Sequence, residues 1–437
     1  MYLHPAPLAR EIGDLISGQK DLKDHVNEVC DRIDQQDQEI RSILPEDGRR
    51  ERLIREAEIL INAYPDPANR PPLFGTLVGV KDVYHVKGFA TRANSRIDPQ
   101  ELTGVEAESV RLLRQAGALV LGKTVTAEFA YFEPGPTRNP HNPEHTPGGS
   151  SSGSAAAVAA GFSPLALGTQ TIGSVNRPAA YCGVVGYKPS YNRISTEGLL
   201  HFSRSTDHVG CFTQDLEGMM LAAEALCYSW QEIDVNYKPV LGLPKGRYLE
   251  KVSPEALDAF LKQLDILKEA GYTVKEIGVL DDIDIIAEWH HKLISAEKAL
   301  EHEDLYSRFS DLYRPKTAAL IEEGKQVSVN DLEAARRFQK ELRERLERLM
   351  WDNSLGLWVA PAATGPAPKG LQSTGDPIMS LPWTNAGLPV VNIPAGRSAD
   401  GLPLSIQFVA PFMGDELLLS WVSIIAGLFK EFQAYNY

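Results

Sequence analysis

Apolar residues recur at helical spacing along residues 7 to 64. In LKDHVNEVCDRIDQQDQEIRSIL they set Val26, Ile33 and Ile40 on one face, and in RRERLIREAEILINAY they gather Leu53, Ile54, Ala57, Leu60 and Ile61. The segment PDPANRPPL breaks the helices. From Leu77 the period changes. LVGVKDVY and ALVLGKT are short apolar runs bounded by glycine, as buried strands are, and VEAESVRLLRQAGA between them reads as a helix. Strand, helix, strand predicts a βαβ unit with a right-handed crossover.

Further along, PVLGLP (239 to 244) reads as a buried strand. SPEALDAFLKQLDILKEAG reads as a helix capped by Ser253, and YTVKEI as the strand after it. Residues 284 to 350 are charge-rich and helical in pattern, and LGLWVAP and PVVNIPAG read as late strands. There is no internal repeat and no long linker. The pattern predicts an α/β protein: a single large domain with a central mixed, mostly parallel β-sheet covered by helices on both faces. An N-terminal helical segment, 1–70, would pack on a core of 71–437, with 284–350 as a helical insertion on the substrate side.

Composition narrows the classes. The chain has 437 residues, 43% hydrophobic and 23% charged, which is ordinary for a globular protein. A net charge of −14 does not point to nucleic acid or an anionic membrane as a direct partner. The longest apolar run, LLLSWVSIIAGLF, is shorter than the ~20 residues that span a bilayer and predicts a buried terminal helix. The N-terminus lacks the pattern of a secretory signal. Cys30, Cys182, Cys211 and Cys227 lie far apart, as free thiols of a cytoplasmic protein would.

Three motifs are set aside. GALVLGKT (117 to 124) fits the phosphate-loop pattern, but its inner residues are themselves the predicted strand. His141 and His145 are spaced for a helical metal pair, yet Pro143 lies between them, so a solvated loop is the expectation and no metal is assigned. His290 and His291 are adjacent and diverge on a helix.

The glycine/serine tract GGSSSGS (148 to 154) has the composition of a linker. It runs directly into AAAVAAG and FSPLALGTQTIGSV, which read as buried. Ser174 follows Ser150 by 24 positions and is also flanked by glycine, which lets a backbone approach a ligand closely. Lys81 ends the strand LVGVK, where α/β sheets place their sites.

Taken in order, these segments resemble the amidase signature family. The likeness runs from Leu73 to Leu418 through GTLVGVKDVYHVKG, TPGGSSSGSAAAVAAGFSPLALGTQTIGSVNRPAAYCGVVGYKPS and the later TGDPIMSLPWTNAGLPVVNIPAG. The resemblance implies Ser174 as nucleophile, Ser150 after a cis peptide bond as bridging serine, and Lys81 as base. Lys81 must then be neutral, which burial favours. It further implies an oxyanion hole from the backbone N–H groups of Thr171, Ile172 and Gly173, with that of Ser174 itself a further candidate. No cofactor is implied. Tyr131, Gln170, Ile172, Asn176 and Trp383 are expected to shape the pocket for a small-molecule amide.

The chain departs from the family core D-T-G-G-S-I-R at Gln170, Ile172 and Asn176, with Arg177 one place after the usual arginine. Ser152 stands where glycine is usual. No catalytic atom is lost, so the departures bear on substrate range. The leading expectation is a free-standing amidase acting on a small carboxamide or N-acyl compound, carbamate and urea-derived substrates included. The alternative within the chemistry is the A subunit of a glutaminyl-tRNA amidotransferase, ranked second because the altered core and STGDP…PWTNAG look more like free-standing amidases. A non-catalytic scaffold that kept the fold is the rival from another class. Apolar surface on the N-terminal helices could support a homodimer.

Overall fold

The computed structural model describes residues 2–430, so residue 437, the expected limit of the core, lies outside the described residues. Its strands are β1 (Leu77–Lys81), β2 (Leu119–Thr124), β3 (Leu165–Gln170), β4 (Val185–Lys188), β5 (His208–Thr213), β6 (Leu241–Lys245), β7 (Val274–Gly278), β8 (Leu357–Pro361), β9 (Val390–Arg397) and β10 (Pro403–Val409). Among the described residues these form one ten-stranded sheet in the order β2-β1-β3-β5-β4-β9-β10-β8-β6-β7. The flanks are parallel: β1 pairs with β2 and β3, and β6 with β7 and β8. The centre, from β3 through β5, β4, β9 and β10 to β8, is antiparallel. The predicted βαβ unit is present, with helix Glu108–Gln115 joining β1 to its parallel neighbour β2.

Side-chain alternation sorts the core onto two faces. Val78, Val80, Leu165, Leu167, Val359 and Phe408 join one buried cluster. It is covered by Val110 and Leu113, by Met219 and Ala222, by Phe260 and Leu264, and by Leu418 and Val422. These belong to helices Glu108–Gln115, Leu216–Leu226, Pro254–Glu269 and Asp415–Ala426, the last being the apolar terminal helix read from sequence. On the opposite face Leu77, Leu121 and Ala166 meet Val26, Ile33, Leu53 and Ala57 of the N-terminal helices. Farther along that face, Trp358 and Val390 meet Ile283, Ile286, Leu342 and Leu346. Helices therefore cover both faces, and no helix of the described residues is long and apolar enough to cross a membrane.

Several local expectations hold. Ser253 caps its helix by accepting from the Ala256 N–H. The four cysteines are free and buried. The phosphate-loop pattern ends inside β2, where Gly122, Lys123 and Thr124 pair with β1, so its backbone is committed to the sheet. Lys123 turns instead to Asp82, at 2.7 Å. The HNPEH segment is a loop, as Pro143 demands, but it is not solvated at His141. That ring is buried against the Cys182 carbonyl at 2.9 Å, and burial pulls its pKa down to about 4.

The glycine/serine tract is no linker. It feeds helix Ser152–Ala159, every residue of which is buried. Gly153 sits where two chain segments touch: its N–H donates to the Val125 carbonyl at 2.9 Å. A Cβ there would lie 2.2 Å from the Ser42 carbonyl oxygen and 2.3 Å from the Val125 nitrogen. Backbone cannot yield as a flexible side chain does. Gly153→Ala should therefore cost about 3 kcal/mol, the upper end of ordinary overpacking. Chemical denaturation is the check, and a variant as stable as the parent would refute this account of the contact.

Candidate active site

Burial on both faces carries β1 through the middle of the parallel flank, and its last residue is Lys81. The side chain is fully buried. Its Nζ lies 2.8 Å from Ser150 Oγ, 2.8 Å from Thr169 Oγ1 and 3.4 Å from the Thr169 carbonyl. A neutral amine has two N–H bonds and one lone pair, which is what three oxygen neighbours of this kind can satisfy if one hydroxyl donates. Burial pushes the Lys81 pKa well below the ordinary lysine range, with the Asp207 carboxylate opposing the shift and the Arg177 guanidinium adding to it. Asp82, the neighbouring charge in sequence, faces Lys123 instead.

Ser150 reaches Lys81 because the tract turns sharply there. Gly148 adopts φ 82°, and the Gly149–Ser150 peptide bond is cis. A Cβ on Gly148 would come within 2.7 Å of Pro178 Cα, so only glycine fits. Next to it, the Ser151 hydroxyl donates to the Thr169 carbonyl at 3.2 Å and accepts from the Thr169 N–H at 3.3 Å, fastening the tract to the end of β3.

Ser174 stands in the turn between β3 and helix Asn176–Cys182 and is 8% exposed. Lys81 and Ser150 are thus in direct contact, whereas among the described residues no hydrogen bond joins the Ser174 hydroxyl to Ser150. Thr171, Ile172 and Gly173 form the turn leading to Ser174. The Thr171 hydroxyl donates to Asp207 at 2.6 Å, and the Ile172 carbonyl accepts from Thr384 Oγ1 at 2.6 Å. Ile172 is half-buried, so its branched side chain stands at the edge of the turn.

Three residues expected on the substrate side face the interior instead. Gln170 is fully buried and fully bonded. Its carbonyl oxygen accepts from the Val175 and Asn176 N–H groups at 2.8 and 2.9 Å, and its amide donates to Asn176 Oδ1 and Thr384 Oγ1 at 2.9 Å each. Two donors and two lone pairs are used, leaving nothing for a ligand. Asn176 passes the network on to Asn392 of β9 at 3.1 Å. Trp383 is a core residue: its indole N–H donates to the Tyr248 hydroxyl at 3.0 Å, and its ring lies 6.2 Å from that of Trp358. Large buried aromatics hold the core, which is why this tryptophan faces inward. Tyr131 remains half-buried, 4.8 Å from the ring of Phe132 and 5.5 Å from that of Phe202.

Sequence reasoning overlooked the partners that fix these groups. Thr169 holds the Lys81 amine, Thr384 holds the turn before Ser174, and Asp207 holds Thr171 while acting on Lys81. None carries a local signal, because each meets the site through a contact with residues far away in sequence. His290 is buried with its Nδ1 3.0 Å from Asn385 Nδ2, and burial pulls its pKa to about 4 against the influence of the Thr171 backbone. His291 is exposed and paired with Glu323.

The family model described as Amidase matches residues 24–419. The A subunit of glutamyl-tRNA(Gln) amidotransferase from Lachnospira eligens is 30% identical over 77% of this chain and 81% of its own length. Its counterpart from Lysinibacillus sphaericus is 29% identical over 93% of each. Among solved structures, an amidase superimposes with a TM-score of 0.87 at 29% identity, covering 97% of this chain and 100% of its own.

Gln170 supplies a direct test of how the turn is held. In Gln170→Leu the buried Val175 and Asn176 N–H groups lose their acceptor, at roughly 1–3 kcal/mol for each group left unpaired. The denaturation midpoint should fall accordingly, and an unchanged midpoint would contradict the hub described here.

Proposed function

The chain belongs to the amidase family, and from that premise we propose that it cleaves the C–N bond of an amide by transferring the acyl group to Ser174. The carrying observation is the 2.8 Å contact between a fully buried Lys81 amine and the Ser150 hydroxyl. Serine is a weak nucleophile until a neighbour removes its proton. In the proposed cycle Ser174 gives its proton to Ser150 as Ser150 gives its own to neutral Lys81. Ser174 Oγ bonds to the amide carbon, and the oxygen takes the negative charge beside the Thr171, Ile172 and Gly173 backbone. The relay then returns a proton to the nitrogen, the C–N bond breaks, and ammonia or an amine leaves. Water attacks the acyl-enzyme by the same relay and restores Ser174. Catalytic hydrogen bonds commonly tighten only once substrate is bound, as the Ser150–Ser174 leg must here.

Two substrate readings divide the comparisons. The amidotransferase relatives, each one part of a larger assembly by name, favour glutamine as the amide and partner chains beside this one. That support exceeds what sequence alone lent this alternative. The free-standing hydrolase keeps the support of the superimposed amidase and of the Gln170, Ile172 and Asn176 departures. A scaffold would have no use for an amine held in costly burial.

A fluorophosphonate should add mass at Ser174 and at no other residue. Ser174→Ala should abolish both labelling and turnover, and intact turnover in that variant would end the proposal. Lys81→Met should slow labelling by ~10²–10⁴-fold, the usual worth of a positioned base. Because only the neutral amine accepts a proton, labelling should rise with pH through the lowered Lys81 pKa and then level off. A rate that falls as pH rises would assign the base elsewhere. Ammonia release from glutamine alone, against release from a panel of simple carboxamides, separates the two substrate readings.

A further inference from the structure

Arginine burial is costly unless the charge is paired. Arg177 is 2% exposed, three residues beyond Ser174 on the first turn of helix Asn176–Cys182. Its Nη2 donates to the Gly149 carbonyl at 2.6 Å and to Thr374 Oγ1 at 3.1 Å. Gly149 immediately precedes Ser150, so the guanidinium is anchored one residue from the partner of Lys81. Among the described residues its Nε and Nη1 have no hydrogen-bond partner, and it forms no ion pair. Asp376 acts on it only from a distance, being exposed and bonded to the Ile378 N–H at 2.9 Å. The buried Tyr181, one turn along the same helix, acts on it more strongly than Asp376 does, and the Phe132 ring lies 5.7 Å from Cζ, beside Tyr131.

A forked cation with an unused edge, fixed next to the reacting serines, is built for an anion of matching geometry. We propose that Arg177 binds a carboxylate on the acyl portion of the substrate, so that the enzyme acts on short primary amides ending in a carboxylate. This rests on the Ser174 reading for the location of the scissile bond, and it names the substrate class for that site. Glutamine falls within the class, and so do monoamides of short dicarboxylic acids. Simple neutral amides fall outside it. The departure that put Asn176 in the usual arginine position frees the adjacent position for this role: Asn176 closes the interior network while Arg177 turns to Gly149.

An electrostatic consequence separates ligand binding from mere support. Arg177 helps to hold Lys81 neutral. A carboxylate seated on the guanidinium offsets that field, so the amine is deprotonated only at higher pH. The rising limb of the pH profile should thus lie higher for a carboxylated substrate than for a neutral one.

The full chain would be tested with succinamate and its neutral counterpart butyramide. Binding is read by calorimetry in the Ser174→Ala background, which needs no turnover. Succinamate should bind and butyramide should not, and adding Arg177→Met should weaken succinamate at least ~30-fold, as loss of a buried charge partner does. Arg177→Lys keeps the charge without the fork and should fall between the two. Melting temperatures identify any variant that fails to fold, in which case the lysine variant and the two-substrate comparison in the parent decide. Equal binding of both amides, or succinamate binding that survives Arg177→Met in a folded protein, overturns the proposal. Fluorophosphonate labelling of Ser174 reports separately on the catalytic reading: labelling without a succinamate preference leaves that reading standing and removes this one.

Discussion

An amine shut away from water at the end of a buried strand is the constraint around which the site is arranged. Lys81 could be a surface cation anywhere else. Here the parallel flank seals it, and desolvation pushes it toward the uncharged form. Neutrality requires that its three oxygen neighbours be held still, and each is. Thr169 is fixed by β3, Ser150 by the tight turn at Gly148, and Ser151 locks one to the other. The glycine/serine tract that looks like a flexible tether is therefore buried and fastened to the end of β3.

A second set of bonds positions the turn carrying Ser174. Gln170 binds the two N–H groups that follow that serine, and through Asn176 and Thr384 it ties the turn to β9 and to helix Leu381–Asn385. Where the family pattern has a carboxylate, the neutral amide of Gln170 accepts both of these bonds and supplies two donors. Read from sequence, Gln170, Asn176 and Trp383 look like pocket residues, and sequence separation alone could not reveal that they face inward.

Much of the fold was legible in the hydrophobic pattern, and the gaps have a physical cause. β1, β2, β6, β8 and β9 announce themselves as short apolar runs, β7 as the segment after a capped helix, and the N-terminal helices by their spacing. The strands the pattern did not yield are β3, β4, β5 and β10, which together with β9 build the antiparallel centre. LALGTQ, VGYK, HVGCFT and PLSIQFV mix glycine, threonine and polar residues with apolar ones. A strand there is favoured by its neighbours across the sheet rather than by its own composition. Lys81, Ser150 and Ser174 came from a resemblance of motifs. Thr169, Thr384 and Asp207 came only from long-range contacts, which leave no mark on the local sequence.

The bonds of Gln170 reach across a seam in the molecule. The groups that would move protons come from the N-terminal flank, on β1, the glycine/serine tract and the turn after β3, whereas Thr384 and Asn392 belong to the later half of the chain. Chemistry and its scaffolding are therefore encoded in separate stretches. A change at Thr384 or Asn392 would therefore disturb the turn that carries Ser174 without touching any group of the relay, coupling the later half of the chain to a reaction it does not itself perform.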